Sequence, residues 1–183
     1  MPIPATNRVR IIGGAFRRRV IRFPSVPGVR PTPDRVRETL FNWLGQDLAG
    51  RRCLDLYAGS GALTLEAASR GAALAVAVDS DRALVEALRA TSTMLGAMAV
   101  EANVGEARAF VANERREFDV IFLDPPFASA PWDWLLPAAA ARLAPGGLVY
   151  AESGAPLAPA GGLSIVRRDK AGHVHYHLLA RAD

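Results

Sequence analysis

Residues 53–79 read CLDLYAGSGALTLEAASRGAALAVAVD, and this stretch decides the fold. The apolar run Cys53–Tyr57 is followed by a turn with two glycines, by a helical segment at residues 62–70, and by a second apolar run that ends at Asp79. Strands that are apolar throughout and alternate with helices are typical of a parallel sheet covered on both faces. The stretch therefore predicts a strand–helix–strand unit of a doubly wound α/β domain.

The same alternation continues to the C-terminus. Further strands are predicted at residues 97–102, 118–123, 148–152, 163–168 and 173–180. A tight turn joins the last two strands, so these two should be antiparallel. We therefore predict a mostly parallel seven-stranded sheet with helices on both faces and an antiparallel C-terminal strand. Ligands of such sheets bind at the carboxyl ends of the strands.

The N-terminal segment has a different pattern. Two short strands around a Gly13-Gly14 turn predict a β-hairpin, and a proline-rich loop follows at residues 24–31. Thr32-Pro33-Asp34 then resembles a helix start, with Thr32 as the N-cap and proline at the first helical position.

Composition limits the class of protein. Half of the 183 residues are hydrophobic, which excludes a disordered chain, and the single cysteine, Cys53, excludes a disulfide framework and a cysteine-based zinc site. No apolar run approaches the ~20 residues of a membrane span, and Met1–Pro4 lacks the build of a signal peptide. We expect a cytoplasmic monomer that does not bind a membrane.

Positive charge is concentrated near the N-terminus. Residues 8–37 contain one acid, Asp34, and nine arginines: Arg8, Arg10, Arg17, Arg18, Arg19, Arg22, Arg30, Arg35 and Arg37. The formal net charge of the chain is +4 and this segment carries +8, so the rest carries −4. A basic segment on an acidic body indicates a polyanionic partner, most commonly nucleic acid.

Three features at the predicted strand ends suggest a nucleoside-containing ligand. Gly59 and Gly61 allow a tight turn before a helix, but Thr64 interrupts the G-x-G-x-x-G spacing of a dinucleotide site, and no P-loop is present. Asp79 could accept both hydroxyls of a ribose, or it could cap the following helix, as could Ser80 or Asp81. Glu106 could accept from an adenine amino group or lie in the first turn of its helix.

This combination resembles the class I S-adenosylmethionine-dependent methyltransferases. The resemblance implies their Rossmann-like fold and S-adenosylmethionine as cofactor. It places the glycine loop along the methionine part of the cofactor, Asp79 on the ribose and Glu106 at the adenine edge. The cofactor-binding residues that it implies are Asp55, Tyr57, Ala58, Gly59, Ser60, Gly61, Asp79, Ser80, Glu106 and Ala107.

Asp124-Pro125-Pro126-Phe127 follows the strand predicted at residues 118–123. It could be a simple strand-ending turn, but it resembles the [D/N/S]-P-P-[F/Y/W] motif of methyltransferases that act on planar exocyclic nitrogens. The lone pair of such an amine is delocalised into the ring. Asp124 and the Pro125 carbonyl can each accept one N–H bond and so direct the lone pair towards a methyl donor, while Phe127 can stack on the base. Asp124, Pro125, Pro126 and Phe127 are therefore the predicted catalytic residues.

The strings Arg10–Gly14, Arg30–Leu44, Leu54–Leu63 and Glu66–Ala72 resemble the bacterial 16S rRNA guanine-N2 methyltransferases of the RsmD type, over residues 8 to about 180. The resemblance implies methyl transfer to the N2 of one guanine of 16S rRNA, in the small ribosomal subunit or an assembly intermediate. It divides the chain into a basic RNA-binding extension, residues 1–31, and a methyltransferase domain, residues 32–183. The arginines expected to contact RNA are Arg8, Arg10, Arg17, Arg18, Arg19, Arg22, Arg30 and Arg35.

Some alternatives remain open from the sequence. A DNA adenine-N6 methyltransferase would share the Asp-Pro-Pro-Phe logic, and a non-catalytic RNA-binding assembly factor would share the fold. The alternating histidines at positions 173, 175 and 177 are expected on a polar outer face rather than as metal ligands, so no metal site is predicted. Trp132 and Trp134 could flank the target base or pack in the core. Arg35 and Arg37 could instead pair with Asp34 and Glu38.

Overall fold

The computed structural model describes residues 6–183 and contains nine strands and five helices in that part of the chain. The helices are α1 Asp34–Trp43, α2 Ala62–Ser69, α3 Arg82–Leu95, α4 Ala107–Asn113 and α5 Trp132–Ala141. The strands are β1 Thr6–Arg10, β2 Val20–Pro24, β3 Arg52–Asp55, β4 Leu74–Asp79, β5 Val100–Val104, β6 Phe118–Leu123, β7 Leu143–Ser153, β8 Leu163–Ala171 and β9 Val174–Arg181.

Seven strands form one sheet in the order β5-β4-β3-β6-β7-β9-β8. The first five of these are parallel to one another, whereas β9 is antiparallel to both β7 and β8. The predicted α/β fold, with its antiparallel C-terminal strands and its N-terminal hairpin, is confirmed. The point at which the chain reverses direction across the sheet lies between β3 and β6, and in open α/β sheets such a point is a ligand site.

Both faces of the sheet are covered by helices. Alternate residues of β6 separate the two sides, because Ile121 packs with α4 and α5 whereas Phe122 packs with α1 and α2. The ring of Phe122 also lies 6.1 Å from Phe41 of α1. In the described part of the chain no helix is long and apolar enough to cross a membrane.

The β1–β2 hairpin forms an additional layer over α3. Its inner face buries Val9, Ile21 and Phe23 against Leu84 and Leu88, which line the inner face of α3. The strands are joined by residues 11–19, a longer connection than the Gly13-Gly14 turn predicted from the sequence.

The hairpin connection is docked against the end of α2. The N–H groups of Ala15 and Phe16 donate to the carbonyl and hydroxyl of Ser69, at 2.7 and 2.9 Å. Gly14 has a φ of +77°, and a Cβ there would lie 1.9 Å from the Ser69 carbonyl oxygen. This close contact therefore requires glycine.

A buried ion-pair network joins the hairpin to the body. Glu66 of α2, fully buried, accepts hydrogen bonds from the N–H groups of Ile12 and Gly13 and from the guanidinium groups of Arg37 and Arg70. Arg37 is equally buried, and its Nε donates to the Thr32 carbonyl at 2.9 Å while one terminal nitrogen donates to the Arg10 carbonyl at 2.7 Å. One acid and one arginine therefore hold three separate segments together.

The structure corrects the predicted start of α1. The N-cap is Pro33, without a side-chain hydrogen bond, and not Thr32. The Thr32 hydroxyl instead donates to Glu152 at the end of β7, 3.0 Å away, because the side chain is buried against the sheet and has an acceptor there. The expectation that Arg37 could pair with Asp34 is confirmed by their salt bridge.

The histidines do not form a polar outer face, so this prediction was wrong. His177 is buried: its Nε2 accepts from the Leu157 N–H at 3.1 Å, and its Nδ1 lies 3.2 Å from the Ala151 carbonyl oxygen. The segment that follows β7 covers this side of the sheet. His175 is half-buried and His173 is exposed in the turn before β9.

We predict that Arg37→Met destabilises the protein by about 3–5 kcal/mol, because the Glu66 carboxylate then loses a buried cationic partner. The matched control is Arg82→Met, which removes an arginine from the exposed Arg82–Glu86 pair, with side chains 72% and 61% exposed, and should cost at most about 1 kcal/mol. Urea unfolding of both variants measures the difference. A loss below about 1 kcal/mol for Arg37→Met would contradict the assigned role of the network.

Candidate active site

Acidic residues converge at the carboxyl edge of the sheet. Asp55 ends β3, Asp79 ends β4, Asp124 follows β6, and Glu152 lies near the end of β7. Because β4, β3, β6 and β7 are consecutive neighbours, these four acids lie along one edge. Such a row, beside a glycine turn, is a site for a ligand that brings hydrogen-bond donors or positive charge.

The turn between β3 and α2, residues 56–61, is fixed by backbone contacts. The Ala58 N–H donates to the Val78 carbonyl at 3.0 Å, and the Gly59 N–H donates to Asp79 Oδ2 at 2.8 Å. Gly61 is the N-cap of α2 with a φ of +78°, and a Cβ there would lie 2.6 Å from Leu88 of α3. The turn therefore needs glycine at position 61 for both its conformation and its packing.

Asp79 stays available to a ligand despite its internal contacts. Its two oxygens accept from the N–H groups of Gly59 and Asp81, at 2.8 and 2.9 Å, and each oxygen keeps a second lone pair. Asp81, and not Asp79, is the N-cap of α3, because its Oδ1 accepts from the Leu84 N–H. Asp79 is thus a half-buried carboxylate held in a fixed orientation.

Asp55 is a buried acid with one oxygen unpaired among the described residues. Its Oδ2 accepts from the Thr64 hydroxyl at 2.8 Å, whereas Oδ1 has no hydrogen-bond partner among residues 6–183. Burial raises the pKa of Asp55 to about 7, the Thr64 hydrogen bond opposes this rise, and the negative charge of Asp79 adds to it. A cationic ligand above the turn would stabilise the ionised form, so the residues present fit a cofactor that carries positive charge.

The remaining predicted cofactor residues lie around the same turn. Glu106 is exposed at the N-cap of α4. Burial of Tyr57 raises the pKa of its hydroxyl to about 12, and the negative charge of Glu106 adds to this rise. Ser60 is directed towards its own helix, since its hydroxyl accepts from the Ala62 N–H. Ala58 is half-buried, Ser80 is exposed and Ala107 is buried.

The Asp124–Phe127 segment leaves the sheet beside the glycine turn. The Asp124 carboxyl makes no hydrogen bond with residues 6–183. Burial, with the charges of Glu152 and Asp55, raises the pKa of Asp124 well above its ordinary value. Pro125 is buried, whereas Phe127 begins a short 3-10 turn and is 42% exposed, with its ring against Gly154. The segment thus places an acceptor and an exposed aromatic ring at the carboxyl edge of the sheet.

Glu152 is the site residue that the sequence interpretation missed. It is 3% exposed, and its Oε1 accepts from the Thr32 hydroxyl at 3.0 Å and from the Tyr150 hydroxyl at 2.8 Å. Its signal was available, because an acid at the end of an apolar strand is the same pattern that identified Asp79.

Six of the eight predicted RNA-contacting arginines occupy two areas. Arg8 and Arg22 are cross-strand partners on the outer face of the hairpin, both exposed, and Arg10 pairs with Asp34. Like charges directly opposite each other are unfavourable, which leaves this pair available to an anion. The second area is the loop segment Arg17–Arg19, which is exposed near the C-terminal end of α2, whereas the glycine turn lies at its N-terminal end.

Other residues singled out from the sequence lie outside this arrangement. Arg30 and Arg35 are exposed, and Arg35 faces Asp169 of β8. Trp132 and Trp134 lie in the first turn of α5 and pack against the apolar cluster that α4 and α5 share with the sheet. The Trp134 ring lies 5.4 Å from the Arg108 guanidinium carbon. Across residues 6–183 no group of three or more histidine, cysteine or acidic side chains could hold a metal ion.

Comparisons with known proteins agree with this geometry. Residues 9–180 match the family described as conserved hypothetical protein 95. The chain is 40% identical over 182 residues to the ribosomal RNA small subunit methyltransferase D of Escherichia coli K12, covering 96% of this chain and 91% of that protein.

Solved structures show the same fold. The putative methyltransferase yhhF from Escherichia coli has a TM-score of 0.85 at 40% identity, covering 96% of this chain and 98% of that one. The T. thermophilus 16S rRNA N2 methyltransferase RsmC, in complex with AdoMet and guanosine, has a TM-score of 0.73 at 27% identity, with all of this chain matching 52% of that one.

The raised pKa of Asp55 has a measurable consequence for stability. Since the folded carboxyl keeps its proton to about pH 7 while the unfolded one loses it near pH 4, this group lowers stability as pH rises between these values. The free energy of unfolding of Asp55→Asn, relative to that of the unsubstituted protein, should therefore increase by up to about 4 kcal/mol as the pH is raised from 4 to 8. Urea unfolding of both proteins at pH 4 and pH 8 measures this difference. An Asp55→Asn difference that does not change with pH would contradict the assignment.

Proposed function

This chain belongs to the family described as conserved hypothetical protein 95, and from that premise we propose that it transfers a methyl group from S-adenosylmethionine to the exocyclic N2 amine of a guanine in 16S rRNA. The substrate in this proposal is the small ribosomal subunit or one of its assembly intermediates. We propose that the protein acts on it as a cytoplasmic monomer.

The observation that carries this proposal is the adjacency of two loops. The glycine turn follows β3, the Asp124–Phe127 segment follows β6, and β3 and β6 are hydrogen-bonded parallel neighbours. A donor site and an acceptor site are therefore side by side at one edge of the sheet. A relative at 27% identity was solved with AdoMet and guanosine together, which supports the same pair of ligands here.

The cofactor side of the site is assigned to the acids and the glycine turn. S-adenosylmethionine, when bound, supplies an electrophilic methyl group on a sulfonium. Asp79 would accept the ribose hydroxyls with its free lone pairs, and Gly59 and Gly61 would allow the backbone to approach the methionine part. Glu106, exposed near Tyr57, would accept from the adenine amino group.

Asp124 and Pro125 are assigned to the amine. The Asp124 carboxylate and the Pro125 carbonyl would each accept one N–H of the target amine, which favours a pyramidal nitrogen with a localised lone pair. The nitrogen gains a methyl group and must lose one proton. Asp124 has the raised pKa expected of a group that can accept that proton in a buried site.

RNA binding is assigned to the basic residues of the N-terminal extension. The proposal keeps the division of the chain into an RNA-binding extension up to residue 31 and a methyltransferase domain from residue 32. Residues 1–5 of that extension lie outside the described part of the chain. Arg8 and Arg22 are exposed and lie directly opposite each other, so their charges repel. An anionic partner on the outer face of the hairpin would relieve this repulsion, which supports the proposal.

Asp124→Ala should reduce methyl transfer by about 100-fold or more while leaving S-adenosylmethionine affinity within about twofold, because the variant loses an acceptor for the amine and keeps the glycine turn. The assay incubates the protein with labelled cofactor and undermethylated small subunits, and calorimetry measures cofactor binding. Asp133→Ala, an exposed acid at the start of α5, is the matched control and should retain full activity.

Mapping the transferred label tests the substrate. Label on the N2 of one guanine of 16S rRNA supports the proposal. Label on adenine would support the alternative of an adenine-N6 methyltransferase, and label only on protein would refute an RNA substrate. Absence of any cofactor binding would leave a non-catalytic assembly factor as the better interpretation.

Replacing Arg17, Arg18 and Arg19 by glutamine should weaken small-subunit binding at least tenfold and flatten its salt dependence, because phosphate contacts are lost. Cofactor affinity should be unchanged, since this loop is at the far end of α2 from the glycine turn. A control that neutralises three exposed arginines elsewhere, Arg82, Arg115 and Arg167, should have a smaller effect. Equal weakening of RNA and cofactor binding by the loop variant would defeat the assignment.

A further inference from the structure

One carboxylate oxygen of Glu152 accepts two hydrogen bonds, and the other accepts none from the described residues. Its Oε1 receives both the Thr32 and the Tyr150 hydroxyl protons, whereas Oε2 accepts no hydrogen bond from residues 6–183. In the described part of the chain, Asp55 Oδ1 is the only fully enclosed polar atom without a partner among side chains that are not exposed, so Glu152 Oε2 keeps a slight contact with solvent. A nearly buried carboxylate oxygen without a partner favours a ligand that brings a hydrogen-bond donor.

The position of Glu152 places this acceptor beside the catalytic segment. Leu123 of β6 is in register with Ala151 of β7, so Asp124 and Glu152 form the next pair along two parallel strands about 4.8 Å apart. The Phe127 ring lies against Gly154, two residues beyond Glu152. The aromatic ring and the two acids thus lie close together at the carboxyl edge of the sheet.

The acceptor is held in a fixed orientation. Arg37 donates to the Thr32 carbonyl at 2.9 Å and so holds the residue whose hydroxyl binds Oε1. Tyr150 is packed edge-on against Phe122 at 6.4 Å, which fixes the second hydroxyl. Because both hydroxyls donate to Oε1, Oε2 is left as the free acceptor of this carboxylate within the described chain.

A guanine edge offers the matching donors. Its N1–H and its N2 amine are adjacent donors, whereas adenine has a lone pair at N1. Burial raises the pKa of Glu152, but a donor brought by the ligand favours the ionised form. An ionised carboxylate only accepts hydrogen bonds, so it discriminates between these two edges. Two acids at neighbouring strand ends also repel each other, and a base that brings a donor to each would relieve the repulsion.

We propose that Glu152 Oε2 reads the N1–H of the target guanine while Asp124 holds the N2 amine, which makes Glu152 the residue that selects guanine over adenine. This inference rests on the proposed function and adds a base-recognition residue to it. A flipped base stacked on Phe127 would then be recognised along its Watson–Crick edge by two carboxylates.

The test is Glu152→Gln. With both hydroxyls donating to the side-chain oxygen, the amide NH₂ takes the place of Oε2 and presents a donor instead of an acceptor. The probes are guanosine and 2-aminopurine riboside, which keeps the 2-amine but has a lone pair at N1. Calorimetric titration of each nucleoside, with S-adenosylhomocysteine present, gives a binding ratio that does not depend on activity.

We expect the unsubstituted protein to prefer guanosine over 2-aminopurine riboside by tenfold or more, and Glu152→Gln to reduce that ratio at least tenfold. Methylation of small subunits by Glu152→Gln should also fall at least tenfold in kcat/KM. A ratio unchanged in the variant, or no binding of either nucleoside to either protein, overturns the proposal.

Glu117→Gln is the matched control, because it makes the same carboxylate-to-amide change at an exposed glutamate away from the site. It should retain the preference for guanosine, and a shift as large as that of Glu152→Gln would show that loss of one negative charge anywhere on the protein is responsible. The outcome is separate from that of the proposed function. If the unsubstituted protein labels no small subunits, the proposed function fails, whereas a labelled guanine with an unchanged binding ratio refutes only the role of Glu152.

Discussion

The buried pairing of Glu66 with Arg37 and Arg70 is the constraint on which the rest of the structure depends. A charged carboxylate without solvent is costly unless every lone pair is used, and Glu66 uses its oxygens on two backbone N–H groups and two guanidinium groups. The same Arg37 holds the carbonyls of Arg10 and Thr32. Through these contacts the hairpin, the start of α1 and the body have one relative arrangement, and the Thr32 hydroxyl reaches Glu152.

The site itself has the opposite character, since its acids are under-satisfied. Asp55 has a buried oxygen without a partner among the described residues, and the pKa values of Asp55, Asp124 and Glu152 are all raised, chiefly by burial. Acids in this condition weaken the folded protein. They also provide strong acceptors that need no reorganisation when a donor or cation arrives. The stability supplied by the Glu66 network and by three apolar clusters offsets that local cost.

The fold was predictable because its signals are local. Each apolar strand, each glycine turn and each acid at a strand end is readable within a few residues, and parallel order follows from strand–helix alternation. The missed features depend on distant partners. Thr32 was expected to cap α1, but its hydroxyl donates to Glu152, 120 positions away. His177 was expected on an outer face, but it is buried because the segment after β7 covers it. The neighbouring sequence suggested Asp34 as a partner of Arg37, but it did not indicate the Glu66 carboxylate or the Arg10 carbonyl.

The docking of the hairpin connection on Ser69 sets a distance across the surface of the molecule. α2 has eight residues and therefore extends about 12 Å along its axis, from the glycine turn to the arginine loop. A ligand held at both ends of this helix must span that length, and a flexible strand loses conformational entropy when it is held at two such points. Under the proposed function, an RNA that is already folded with a phosphate group and an extruded base at two such points would bind at a lower entropic cost than a flexible strand.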